Sequence, residues 1–166
     1  MSNWSGTTTT FVDANALPAS DLNTYTQTPL LAVGDDWTSD TSWGWHGAVS
    51  DPAIGNGTKA GRYKTIGKTT YFALSITMGS TTTFGSGLWD VGIPGGGTSG
   101  AIIQSVAATA YDTSGAAYWC GTGYIAASAG AIGHIASPTG TPFASGTPFT
   151  WASGDVLSIS GVIWTA

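Results

Sequence analysis

Charge is what this chain has least of. Only 8% of its 166 residues are charged, against roughly 25% in an average soluble domain. Glutamate is absent, so all nine acidic residues are Asp, and Lys and Arg together number four. Glu and Lys are strong helix formers, and their scarcity argues against a helical fold. A nucleic-acid binder needs a spread of cations to track phosphates, and four cations under a net charge of −5 do not supply it. Cys120 is the only cysteine, so no intrachain disulfide can form. Two distant histidines, His46 and His134, give no metal-ligand spacing, and neither a zinc site nor any other metal or cofactor is expected. Within YWCGTGY, Cys120 reads as a small buried hydrophobe. No run of about 20 predominantly apolar residues exists, so no membrane insertion is expected. The opening MSNWSGTTTTF lacks a basic segment followed by an apolar one and does not read as a secretory signal.

What is present points to strands. Thr (26), Gly (25) and Ser (18) dominate, and there are eight Trp. Thr favours strands, Gly favours turns and Ser suits exposed strand faces. The length fits one domain, residues 36–166, preceded by an arm, residues 1–35. In the arm, LPASDLNTYTQTPLLAV predicts one short helix. Pro18 sits near its start, Ser20 or Asp21 can cap it, and Leu22 and Tyr25 share a face. Pro29 should end or kink it. Such a helix is too short to stand alone.

The strongest local pattern lies at residues 62–78. Phe72, Leu74, Ile76 and Met78 alternate with Tyr71, Ala73, Ser75 and Thr77, the period of a strand with one buried face. Arg62–Ile66 is a second strand, and Gly67 supplies the positive φ of a tight hairpin. Trp89, Val91 and Ile93 are expected to add a third strand to this hairpin. Further strands are expected at residues 101–111, 117–126 and 132–136, with Gly121 and Gly123 marking a bulge or a close backbone approach. In the last segment Leu157, Ile159 and Ile163 face one way, and Val156, Val162 and Trp164 face the other. Both faces are then partly apolar, as for a strand between a core and a subunit interface. About eight strands at intervals of 8 to 15 residues predict an antiparallel all-β domain, a β-sandwich of jelly-roll type.

The site residues are few. Trp37, Trp43 and Trp45 fall within nine residues, followed by His46. They read either as rings plugging the end of the fold or as an aromatic platform for a sugar. Lys59, Arg62, Lys64 and Lys68 gather every cation into ten positions. They read either as a solvated strand or sheet edge or as a docking patch for an acidic partner. Asp35, Asp36, Asp40, Asp51, Asp90 and Asp112 could in principle pair for glycoside hydrolysis. Most sit in turns, where Asp caps its own backbone. No Ser lies in a strand–turn–helix setting, and Gly95-Gly96-Gly97 lacks the Lys and helix of a phosphate loop. No enzyme is expected. Between Asp112 and Asp155 no residue carries a fixed charge, and so bare a surface predicts burial against other subunits.

The segments PAIGNGTKAGRYKTIGKTTYFALSITMGSTTTFGSG and PFTWASGDVLSISGVIW resemble β-sandwich domains of structural proteins of tailed bacteriophages. The arm VDANALPASDLNTYTQTPLLAVGD is similar to the N-terminal segment that precedes such domains in minor tail and fibre-like proteins. The resemblance implies a trimeric, jelly-roll or TNF-like virion protein, a homotrimer attached to other virion proteins through its arm. It implies no catalytic residues. A tail-tip protein contacting a host-surface glycan, a capsid decoration protein and, from another class, a free carbohydrate-binding module are the functions left open. The last predicts a soluble monomer with a secretion signal.

Overall fold

The computed structural model describes Gly34 and residues 36–165. The helix expected in the arm lies outside the described residues. The chain divides after Asp35, and the architecture below is that of the second unit.

That unit is antiparallel β. Its strands are β1 (Thr38–Ser39), β2 (Trp45–Gly47), β3 (Thr58–Ile66), β4 (Thr69–Thr77), β5 (Trp89–Gly92), β6 (Gln104–Asp112), β7 (Ala117–Ile125), β8 (Ala131–Ala136) and β9 (Val156–Trp164). They form one sheet in the order β1-β3-β4-β9-β6-β7-β8-β5-β2. The expected hairpin is there, with its first strand starting earlier, at Thr58. β3 and β4 pair from Thr58↔Thr77 to Ile66↔Thr69. Gly67, at φ +61°, is the first residue of the two-residue turn, the position a type II′ hairpin reserves for glycine.

The third strand of this unit is not the one expected. Trp89–Gly92 is a strand, but it pairs with β2 and β8 at the far side of the sheet. β9 joins the hairpin instead. Its inward row meets that of β4, Leu157 opposite Ile76 and Ile159 opposite Leu74. A nine-residue strand offers a full ladder to β4, and the four residues of β5 do not.

The sheet curls. Its edge strands, β1 and β2, are neighbours in sequence, separated only by residues 40–44. Six Cα steps from Ser39 to Trp45 span at most about 22 Å. Nine strands laid flat would put the edges about 38 Å apart, at about 4.8 Å per spacing. The edges are therefore drawn together around one core. Trp43, just before β2, and Trp45, its first residue, lie in the same buried cluster as Phe72, Leu74 and Ile76 of β4. Asp40 helps to hold this closure. Its carboxylate accepts hydrogen bonds from the amides of Ser42 (2.7 Å) and Gly95 (2.6 Å), tying the β1–β2 loop to the short 3-10 turn Pro94–Gly96.

Two glycines shape the core. Val106 on β6 stands between Gly161 of β9 and Gly123 of β7. A Cβ on Gly161 would lie 2.5 Å from the Val106 Cγ1, and one on Gly123 would lie 2.4 Å from the Ile132 Cγ2. The ladder between β7 and β8 also shifts register between Thr122 and Tyr124. Bulge and close approach therefore coincide at Gly123. Asp155 is fully buried, and its carboxylate accepts the amides of Thr113 (2.9 Å) and Ala152 (2.6 Å).

Candidate interaction surfaces

The tryptophan-rich segment goes mostly inward. Trp43 is 4% exposed and Trp45 is 6% exposed, whereas Trp37 is 45% exposed. Trp43 lies over Gly61 of β3, where a Cβ would come within 2.5 Å of the indole nitrogen. That nitrogen donates to the Asp40 carbonyl at 3.1 Å. Trp45 meets Trp89 edge to face, with centroids 5.0 Å apart, and its own Nε1 is buried with no hydrogen-bond partner among the described residues. The aromatic series continues from Trp89 to Trp151, Phe149 and Trp119, with centroids 4.5 to 5.1 Å apart. A stacking platform presents ring faces to solvent, and the Trp43 and Trp45 faces are spent on packing. The platform reading is corrected for these two rings; they plug the core. Trp37 and His46 remain outside. His46 Nδ1 lies 3.3 Å from a carboxylate oxygen of Asp51, and both side chains are exposed.

The four cations do not form one patch, because the pleat of β3 divides them. Lys59, Gly61 and Tyr63 share a face with Ile76, Leu74 and Phe72 of β4. Lys59 therefore points inward. Its Nζ donates to the Trp43 carbonyl at 2.7 Å and stands 4.8 Å from the Trp43 ring centroid. Arg62 and Lys64 lie on the outward face, and Lys68 sits at the hairpin turn. A four-cation docking patch is corrected to two outward side chains and one at the turn.

The carboxylates are occupied with turns. Asp40, Asp51 and Asp112 titrate below the ordinary aspartate range, mainly because backbone amides donate to them, from Gly95, Gly47 and Gly115 respectively. Among the described residues no three His, Cys or Asp side chains gather in a way that could hold a metal. No helix among them is long and apolar enough to cross a membrane.

The widest unassigned feature is the outward face of β3, β4, β9, β6 and β7. Cross-strand pairing aligns its rows. Ala60, Ser75, Ser158, Thr109 and Cys120 form one row; Arg62, Ala73, Ser160, Ala107 and Thr122 form the next. Larger residues flank this strip of small ones. On one side Tyr71 pairs with Val162, near Trp164, which is 57% exposed. On the other, Val156 pairs with Tyr111, whose ring stacks at 4.5 Å on Tyr118, 70% exposed. Arg62 and Lys64 are the only charged residues at the outward positions of these five strands. A groove of about 510 Å³ runs along the strip, lined by Ala60, Arg62, Ala73, Ser75, Ser158 and Ser160 among others. Cys120 is exposed on this face, which corrects the expectation of a buried thiol. The register of β7 turns it outward because Trp119 and Gly121, on either side of it, take the inward positions. The two-sided apolar character of β9 is the sequence signal that marks this surface.

Compared with protein-family models, with curated proteins and with solved structures, the chain matches none.

Proposed function

We propose that this chain is a structural protein of a bacteriophage virion. In this reading it is a non-enzymatic, trimeric minor tail or tail-tip protein with a jelly-roll-like sandwich. It docks on other virion proteins through its arm and is exposed on the particle, where it can meet a host-surface glycan. The observation that carries the reading is the outward face of the five long strands. A face that broad, with two charges and a fringe of Tyr, Val and Trp, suits a component that assembles. The two segments that resemble phage structural proteins also fold together, since they supply β3, β4 and β9, three neighbours in the sheet.

Decoration of the capsid is the second reading, with arm and basic hairpin holding the shell. The turning of Lys59 into the fold leaves that grip weaker. Burial of Trp43 and Trp45 likewise removes most of the support for a free carbohydrate-binding module. Electron micrographs of virions labelled with an antibody to this chain test the assignment. Label at the tail end is expected; label confined to the capsid selects decoration, and unlabelled particles overturn both readings.

A further inference from the structure

We infer that the outward face of β3, β4, β9, β6 and β7 is the surface through which copies of this chain associate, with Ser158 and Cys120 in its central strip. A face complementary to itself makes a two-fold contact between two copies, so the inference stands apart from the proposed trimer.

Size comes first. Five strands spaced about 4.8 Å apart and nine residues long at about 3.3 Å each present a face of about 700 Å². A standard stable interface buries about 800 Å² on each partner, so the face is adequate for one. Shape comes next. Over β3, β4 and β9 the strip is a depression, a groove of about 510 Å³ that Ser39 and Thr41 also line. The bands containing Tyr71, Val162 and Trp164, and Val156, Tyr111 and Tyr118, stand on either side. A second copy displaced along the strands can lay one band into the other's strip, so the face is complementary to itself. Aromatic residues at such contacts contribute large area at low entropic cost.

Charge supplies the orientation. Arg62 sits on β3, at one side of the face, and no carboxylate stands on any of its outward positions. An acidic partner would find only this one side attractive. A second copy that lays its β7 over β3 keeps the like charges apart and covers the uncharged remainder.

Sedimentation of the full chain, combined with the rate at which Cys120 reacts with a thiol reagent, tests the inference. The wild type is expected to sediment at a multiple of 16.7 kDa, with Cys120 at least tenfold slower than in the unfolded chain. Ser158→Glu places a carboxylate in the middle of the strip, and Tyr71→Lys places a cation on one band. Each is expected to lower the mass to a single chain and to restore Cys120 reactivity. Unchanged circular dichroism and thermal unfolding of the dissociated species show that the fold survived. A wild type that is a single chain at micromolar concentration overturns the inference. So does an assembly whose mass survives both substitutions with Cys120 still reactive. Virion labelling separates the two proposals. Unlabelled particles with an intact oligomer sink the virion reading alone, and a labelled tail with a monomeric chain sinks the interface alone.

Discussion

The two faces of β4 and β9 belong to the same backbone and differ in almost everything else. Inward stand Phe72, Leu74, Ile76, Leu157, Ile159 and Ile163, all buried. Outward stand Tyr71, Ala73, Ser75, Ser158, Ser160, Val162 and Trp164. The inner face is filled by large side chains fitted around glycines. The outer face has a small-residue centre and a large-residue fringe. The pleat makes both from one period-two pattern. What separates them is therefore side-chain size and charge, and each can be altered alone.

The largest effect belongs to the inner face. Trp89 is fully buried, touches Trp45, Phe84 and Trp151, and donates its Nε1 hydrogen to the Phe84 carbonyl at 3.0 Å. Trp89→Ala is expected to cost about 3–5 kcal/mol in denaturant unfolding. Leu74→Ala should cost about 2–5 kcal/mol by the same measurement. Its neighbour Ser75→Ala, on the outward side, should stay within about 0.5 kcal/mol. An equal loss at both positions would erase the contrast between the faces. Gly161→Val drives a side chain into Val106 and should cost about 1–3 kcal/mol, partly relieved by adding Val106→Ala. Asp155→Asn leaves one buried amide poorly paired and is expected to cost about 1–3 kcal/mol.

Acid should act weakly and at the turns. Asp40, Asp51 and Asp112 titrate below the ordinary aspartate value because the folded chain donates amides to their carboxylates. Such groups bind fewer protons folded than unfolded. Their contribution is present above the ordinary aspartate value of about 3.9 and is lost as pH falls below it. Unfolding midpoints should therefore fall between pH 5 and pH 2.5, and Asp40→Asn should shallow that fall. A midpoint that rises on acidification would contradict the assignment.

Much of the fold is legible in the chain because short-range rules set it. Alternation at Phe72–Met78 and a glycine at position 67 specify a hairpin with no reference to the rest of the sequence. Both faces of β9 are readable in the same way. The partner of a strand is not. Trp89 and Val91 alternate as any strand does, and the pairing of their strand with β2 and β8 depends on how the sheet closes. The Trp-rich segment is opaque for a related reason. An indole reads alike whether it faces in or out, and Trp43 turns in because Gly61, eighteen positions on, leaves room for it. The inward turn of Lys59 was within reach, since it shares parity with Gly61 and Tyr63. A strand read from Arg62 onward hides that parity.

The central claim is that the outward face is covered by further copies of the chain, and Cys120 reports on it from within. Its reaction rate with a thiol reagent, measured across a dilution series of the full-length protein, is the direct test. The rate is predicted to be slow at high concentration and to rise toward that of the unfolded chain on dilution, in step with the loss of mass. A rate that is fast and independent of concentration would contradict it.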